Sequence, residues 1–391
     1  MEKKIAILIE DNIYNRKGMM NAELNRIIHL KRIATYVIDV YTFQTYNGWL
    51  VRKLRNQKKC DCPQSIVIDG ININIKWNKF SLIDYFLSVK FKMRPLISRN
   101  WQFKYSSLFA GYDMIVANST QMGDLSRIIK QKYDIPYFVI WHGTDIHSAP
   151  FVSKYQYCKT KRILLDAKLN FMVSEALQVT SKKIAPDALT MVLYNGVSSS
   201  FQRYNDSDRL RLRQEKGVEG KKVIAFAGHL IEVKKPQLFP EIFRSVLAKC
   251  SLPMEFWVMG TGKLGGYVES KCKEYNIPLK MWGNVPSHDM PSMLNCVDVL
   301  ILPSRNEGLP LIAVEALACG ANAVGARVGG IPEAMGLENT FPHGDDFVED
   351  ISERIVYMLN SKVEQVLLPC FSWEESAKIE NDIYMEYLKT R

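Results

Sequence analysis

The sequence predicts an α/β protein made of two doubly wound domains, and three observations carry that prediction. A chain of 391 residues exceeds what one ordinary core organises. Short apolar runs alternate with helical patterns throughout, the pattern of βαβ units that build parallel sheets. The rhythm breaks at one polar stretch, "VSSSFQRYNDSDRLRLRQEKGVEGKK". This predicts an N-terminal Rossmann-like domain over 1–197, a linker over 198–220 and a second Rossmann-like domain over 221–368. The remainder, 369–391, reads as a C-terminal helix returning to the first domain.

In the first domain the candidate strands are "IAILIE", "YVIDVYTF", "SIVIDG", "MIVANS", "YFVIWHG", "NFMVSE" and "TMVLYNG". Several are apolar on both faces, as strands covered by helices on both sides are. "SIVIDGININIKW" reads as a hairpin turning at Asp69-Gly70. The second domain offers "KVIAFAG", "MEFWVMG", "PLKMWG", "VDVLILPS" and "NAVGA". In the terminal helix Ser372 and Glu375 have capping-box spacing, and Ile379, Ile383 and Tyr387 predict the packed face. Ligands of such sheets bind beyond the carboxyl ends of the strands, so two of them are expected to face each other across a cleft.

Composition narrows the function. The chain is 47% apolar and 24% charged, with a net charge of +10. Residues 1–200 carry 29 Lys and Arg against 15 Asp and Glu, a net +14, while 201–391 come to −4. The first half is therefore expected to face something anionic. No apolar run approaches the roughly 18 residues of a membrane span, and "MEKKIAILIEDN" reads as a first strand rather than a signal peptide. The eight cysteines have no paired metal spacing and fit a reducing compartment. Asp206-Ser207-Asp208 lies in the polar stretch rather than at a strand end, which argues against a metal site there.

The most informative stretch is "VDVLILPSRNEGLPLIAVEALACG". Glu307 falls in a strand-to-helix turn, with Pro310 suited to the first helical position and Glu315 inside an apolar helix. A carboxylate in either place loses hydration and needs a partner. On spacing alone, Glu307 could cap the helix and Glu315 could join a salt bridge. Alternatively the helix N-terminus, near Gly308 and Leu309, forms a phosphate site with hydroxyl-binding carboxylates on either side. "WHGTD" leaves His142 open in the same way, as a core histidine or a ligand-facing one. "KFSLIDYFLSVKFKMRP" (79–95) reads either as a core-facing helix with a cationic end or as an amphipathic helix lying on an anionic membrane.

"PSRNEGLPLIAVEALACGANAVGARVGGIPEAM" resembles the donor-binding signature of retaining GT-B glycosyltransferases, family 4 in particular. The carriers are Glu307, Glu315 seven residues on, and Gly329-Gly330-Ile331-Pro332-Glu333. The resemblance implies a donor domain at 221–368 and an acceptor domain at 1–197. It implies that Glu315 binds the nucleotide ribose, that Glu307 lies beside the transferred sugar, and that Gly308, Leu309, Pro310 and Leu311 line the phosphates. "AFAGHLIEVKKP" resembles the family's first donor-domain turn: Lys234 matches its diphosphate lysine, while His229 stands where the family has arginine, with Lys235 or Arg305 able to assist. Gly283, Asn284 and Val285 would meet the base, His142 the transferred sugar, and Gly18 is what remains of the family's Gly-Gly turn.

Glu307, His142 and Lys234 are thus the expected catalytic residues. The expected reaction is transfer of a hexose from a nucleotide diphosphate sugar to a lipid-linked or polysaccharide acceptor in cell-surface glycan synthesis. No metal or other cofactor is expected, and the expected location is cytoplasmic, on the inner face of the membrane. A sugar-nucleotide epimerase of the same architecture, or a basic nucleic-acid-binding protein, are the competing classes. No aromatic-basic motif supports nucleic acid.

Overall fold

A computed structural model describes all residues except 1, 11–17, 60, 91–96, 362 and 391; the side chains of 90 and 97–100 are also outside it. The chain divides into two compact units. One comprises 1–173, 177–193 and 373–391, the other 174–176 and 194–372.

The first unit holds an eight-stranded sheet of order β3-β4-β2-β1-β5-β6-β7-β8. Its strands are β1 (Lys4–Ile9), β2 (Val37–Asn47), β3 (Ser65–Ile68), β4 (Ile71–Phe80), β5 (Met114–Asn118), β6 (Tyr137–Trp141), β7 (Leu169–Met172) and β8 (Thr190–Val192). Every neighbouring pair is parallel except β3 with β4. All residues of β5 and β6 are buried, which is why these strands read as unbroken apolar runs. The β3–β4 hairpin turns where expected. Asp69 (φ 50°) and Gly70 (φ 79°) are both left-handed, as a tight two-residue hairpin turn requires.

The second unit holds a six-stranded sheet of order β11-β10-β9-β12-β13-β14, parallel throughout. Its strands are β9 (Lys222–Ala227), β10 (Met254–Met259), β11 (Leu279–Gly283), β12 (Val299–Leu302), β13 (Asn322–Ala326) and β14 (Thr340–Phe341). β14 is too short to leave a periodic signal.

Three readings need correction. The polar stretch after Val197 is not a bare linker. It contains helix Asp206–Lys216, capped by Asn205, whose side chain accepts the N–H of Asp208. Arg213 ties this helix to Asp298 at 3.2 Å, and Asp206 and Asp208 sit in its first turn, where negative charge suits the helix dipole. Lys79 and Phe80 belong to β4. The helix starts at Leu82, after a Ser81–Asp84 capping box, and continues as a π-turn over Phe86–Lys90. Ile83 and Phe86 are exposed there, so the core-facing alternative does not describe them; Phe91, Lys92, Arg94 and Pro95 lie outside the described residues.

The terminal helix, Trp373–Lys389, clusters with the first unit, and its packed face is offset from the predicted one. Trp373, Ser376, Ala377, Glu380, Tyr384 and Leu388 are buried, whereas Ile379, Ile383 and Tyr387 flank them. The cause is a buried polar seam that apolar spacing does not detect. Glu380 lies 3.7 Å from Arg26 of α1 (Gly18–Ile33) and accepts the Tyr384 hydroxyl at 2.8 Å, and the Arg26 guanidinium lies over the Trp373 ring. Removing one partner of such a pair leaves a buried charge uncompensated. Glu380→Ala is therefore expected to cost about 3 kcal/mol, read as a fall in denaturation midpoint larger than that of Glu380→Gln. An unchanged midpoint for the alanine variant would show that the seam does not hold the helix.

Candidate functional site

Because the second sheet is parallel, the loops leaving β9 to β13 all emerge at one edge. Their backbones are pressed together there. A Cβ on Gly260 would lie 1.9 Å from the Gly228 carbonyl oxygen, and one on Gly262 would lie 2.3 Å from that of Leu230. The turn after β13 meets the glutamate loop after β12 in the same way. A Cβ on Gly329 would lie 2.0 Å from the Glu307 carbonyl oxygen, and one on Gly330 would lie 2.0 Å from that of Gly308. Gly329 is also left-handed (φ 53°). The paired glycines are therefore a steric requirement of this contact. Glu333, which follows them, accepts the N–H groups of Glu175 and Ala176 at 2.7 and 2.9 Å and the Tyr194 hydroxyl at 3.0 Å.

The structure brings Glu307 and Lys234 together. Lys234, on the turn Glu232–Lys234 after β9, is ion-paired with Glu307, which also accepts the Ser304 hydroxyl at 2.7 Å. Beside them stand Lys235, Arg305 and His343. Burial, and then the charge of Arg305, lowers the Lys235 ammonium below its ordinary value. Burial also lowers His343, opposed by its bond to the Ser304 carbonyl at 3.1 Å and aided by Lys235 and Arg305. His229 is exposed at the head of the same loop. The carboxylate of Glu307 thus faces several basic groups, a composition that favours an added anion. His343 and Ser304 were not singled out from sequence. His343 follows a two-residue strand and lies in no recognisable spacing, and Ser304 is one of many loop serines.

Helix Leu311–Ala318 starts one residue later than expected, with Pro310 as its N-cap and no side chain capping it. The Ala313 N–H, 2.9 Å from the Pro310 carbonyl, makes the first turn's bond, so the N–H groups of Leu311 and Ile312 precede the helical ladder. Glu315 lies one turn in, between buried Ala313, Val314, Ala316 and Leu317. It keeps a window to solvent, but its carboxyl sits deep, and depth governs its ionisation: burial pushes it up to about 7. Among the described residues no hydrogen bond or ion pair reaches that carboxyl, so the salt-bridge alternative does not describe it. Gly283 (φ 66°), Asn284 and Val285 follow β11 at the same edge of the sheet.

In the first unit, β6 delivers Trp141, whose indole N–H donates to Asn170 at 2.9 Å. The Asp145 carboxylate takes the N–H groups of Gly143 (2.8 Å) and His142 (3.2 Å), which pins the loop, and Gly143 is left-handed at φ 151°. The Asn118 amide nitrogen donates to the Leu8 carbonyl at 3.2 Å, which fixes the amide's orientation. Its oxygen, 3.2 Å from His142 Nε2, must then accept a proton from that nitrogen. Glu23, 3.9 Å from Nε2, favours the same tautomer. Burial and Arg26 push His142 down to about 3, so the ring is neutral near pH 7, with Nδ1 as its acceptor. Gly18 opens α1.

Residues 221–361 match the family described as "Glycosyl transferases group 1". The chain is 26% identical over 215 residues to TuaC of Bacillus subtilis, a glycosyltransferase named for teichuronic acid biosynthesis, covering 55% of this chain and 52% of that protein. It is 30% identical over 183 residues to the D-inositol 3-phosphate glycosyltransferase of Mycobacterium ulcerans, covering 44% of this chain and 38% of the relative. The chain thus spans about half or less of these relatives' length. Anabaena HepE, solved in complex with UDP and glucose, superposes with a TM-score of 0.69 at 19% identity over the whole of both chains. That likeness shows the fold, which is GT-B. Homologues and fold neighbours alike are glycosyltransferases.

Glu315 gives a stability test that needs no ligand. A carboxyl ionising near 7 in the folded chain and near 4.5 in the unfolded chain makes the unfolded state release its proton first as pH rises. Its contribution to stability therefore falls between pH 4.5 and 7. Glu315→Gln lacks this titration, so its melting temperature is expected to gain on that of the native chain from pH 5 to pH 7 and then hold a constant lead. A lead independent of pH would mean that Glu315 ionises normally.

Proposed function

We propose that the chain is a retaining, family 4 glycosyltransferase that moves a hexose from a nucleotide diphosphate sugar to a lipid-linked or polysaccharide acceptor. The observation that carries this reading is the Lys234–Glu307 pair beside a helix N-terminus that no side chain caps, with the Glu315 carboxyl, unpartnered among the described residues, one turn along. Lys234, supported by Lys235, Arg305 and His343, is suited to the diphosphate, as are the N–H groups of Leu311 and Ile312. Lining by Gly308, Leu309 and Pro310 would exclude water there. Glu315 would accept the ribose hydroxyls, Gly283, Asn284 and Val285 would border the base, and Gly18 and His229 would approach the phosphates. Glu307 and neutral His142 would hold the hexose hydroxyls.

The charge that grows on the departing diphosphate is met by Lys234, so no metal ion is required. In front-face attack, the leaving phosphate oxygen takes the acceptor hydroxyl's proton while the new glycosidic bond forms on the side the diphosphate leaves. Cell-surface glycan synthesis is the setting, in keeping with the teichuronic acid relative, and the enzyme would work in the cytoplasm against the inner face of the membrane.

Donor affinity tests the site. Hydroxyl donors favour the ionised form of Glu315, so affinity for UDP-glucose or a related donor is expected to rise with pH through about 7. Glu315→Gln should flatten that rise and weaken binding by ~1–2 kcal/mol above it. His229→Arg should preserve or strengthen binding, and chelator should leave it unchanged. Full affinity in Glu315→Gln at high pH would remove the ribose assignment. Donor turnover in the absence of any acceptor hydroxyl would favour the epimerase reading instead.

A further inference from the structure

Helix Trp49–Leu54 and the turns over Leu82–Lys90 leave the carboxyl ends of β2 and β4, which are adjacent parallel strands. They form one surface. The Gly48 N–H donates to the Phe80 carbonyl at 2.9 Å, and the Arg55 guanidinium lies 5.2 Å from the Tyr85 ring and 5.9 Å from that of Phe80. Val51 and Asp84 point inward. Outward stand Trp49 (64% exposed), Leu50, Leu54 (60%), Ile83 (62%), Phe86 and Val89. Single exposed apolar residues are ordinary, but six on two neighbouring segments form a patch that calls for a partner.

Its charge indicates which partner. Residues 49–59 contain five Lys and Arg and no Asp or Glu. Lys53 lies over the Trp49 ring at 5.9 Å, so cations are interleaved with the apolar groups rather than set apart from them. An indole with aliphatic and phenyl groups, ringed by long cationic side chains, matches the headgroup boundary of an anionic bilayer. The rings and aliphatics enter the acyl edge while the cations reach the phosphates.

We propose that this face docks on an anionic lipid surface. It deepens the glycosyltransferase reading by naming how the acceptor arrives, and that part rests on the reading. His142 follows β6, parallel to β2 and β4 in the same sheet, so the docking face and His142 share one edge, three strand spacings from β2 and four from β4, or about 14–19 Å. An acceptor carried by a membrane lipid would be presented at the edge where His142 stands.

The test uses the full chain and vesicles of phosphatidylcholine, with or without phosphatidylglycerol, and no nucleotide sugar. The native chain is expected to co-sediment with the mixed vesicles and to be released by salt. Combined replacement Trp49→Ser, Leu54→Ser, Ile83→Ser and Phe86→Ser should weaken binding at least about tenfold, and Lys53→Gln with Arg55→Gln and Lys58→Gln should abolish the preference for phosphatidylglycerol. Both variants should keep native melting temperature and donor affinity. Undiminished vesicle binding by the serine variant overturns the proposal. So does a native dimer that ignores vesicles and becomes monomeric in that variant, which would make the patch a protein interface. Donor affinity is read separately, so failure of the donor site and failure of the docking face are distinguishable.

Discussion

The second unit depends on a backbone contact that admits no side chain. Gly329 and Gly330 lie against the carbonyl oxygens of Glu307 and Gly308, closer than any Cβ allows. This contact fixes the glutamate loop in height above the sheet, and the Gly260 and Gly262 contacts do the same for the loop that carries His229 and Lys234. With both loops held through their backbones, the Lys234–Glu307 pair forms between side chains whose attachment points cannot drift. If the proposed diphosphate binds here, such rigidity favours it, because little ordering is left for the moment of binding.

Electrostatic asymmetry follows from that geometry. Glu307 is ion-paired with Lys234 while Lys235 and Arg305 stand in the loops beside them, and the lowered proton affinities of Lys235 and His343 record burial first and then the neighbouring positive charges. An arriving anion relieves the crowding. Glu315 is the converse case, a deep carboxyl with no ion pair among the described residues, whose proton affinity is raised because burial takes water from its charged form. Both departures disfavour the charged forms, and the proposed ligand, with two phosphates and a ribose diol, would offset both. Within the first unit, His142 is neutral and held in one tautomer by Asn118, which suits hydrogen bonding to a hydroxyl better than pairing with phosphate.

Much of this was legible in the sequence because the forces involved leave patterns. Strands buried on both faces read as apolar runs, the Asp69-Gly70 turn announced its hairpin, and the glutamate spacing with its glycine pair announced the loops. What could not be read arises from tertiary contact. Glu380 is buried because Arg26 from a helix distant in sequence meets it, and apolar spacing therefore selected a line beside the buried one, where Ile379, Ile383 and Tyr387 are half-buried. Helix Asp206–Lys216 has no buried residue and so carries no hydrophobic signature; its Asn205 cap and the Arg213–Asp298 pair hold it. His343 joins the basic cluster through a fold-level approach to Ser304. The basic, apolar face after β2 was missed because Trp49–Leu54 is too short for a period to emerge.

In the proposed reading Glu307 would act on the donor a second way, through Lys234, with which it is ion-paired. A double-mutant cycle measures it directly: donor affinity by calorimetry for the native chain, Lys234→Met, Glu307→Gln and the double variant. Strong non-additivity is expected, with the double variant binding about as weakly as Lys234→Met alone and a coupling of about 1–2 kcal/mol. Additive losses, or no loss from Lys234→Met, would contradict it.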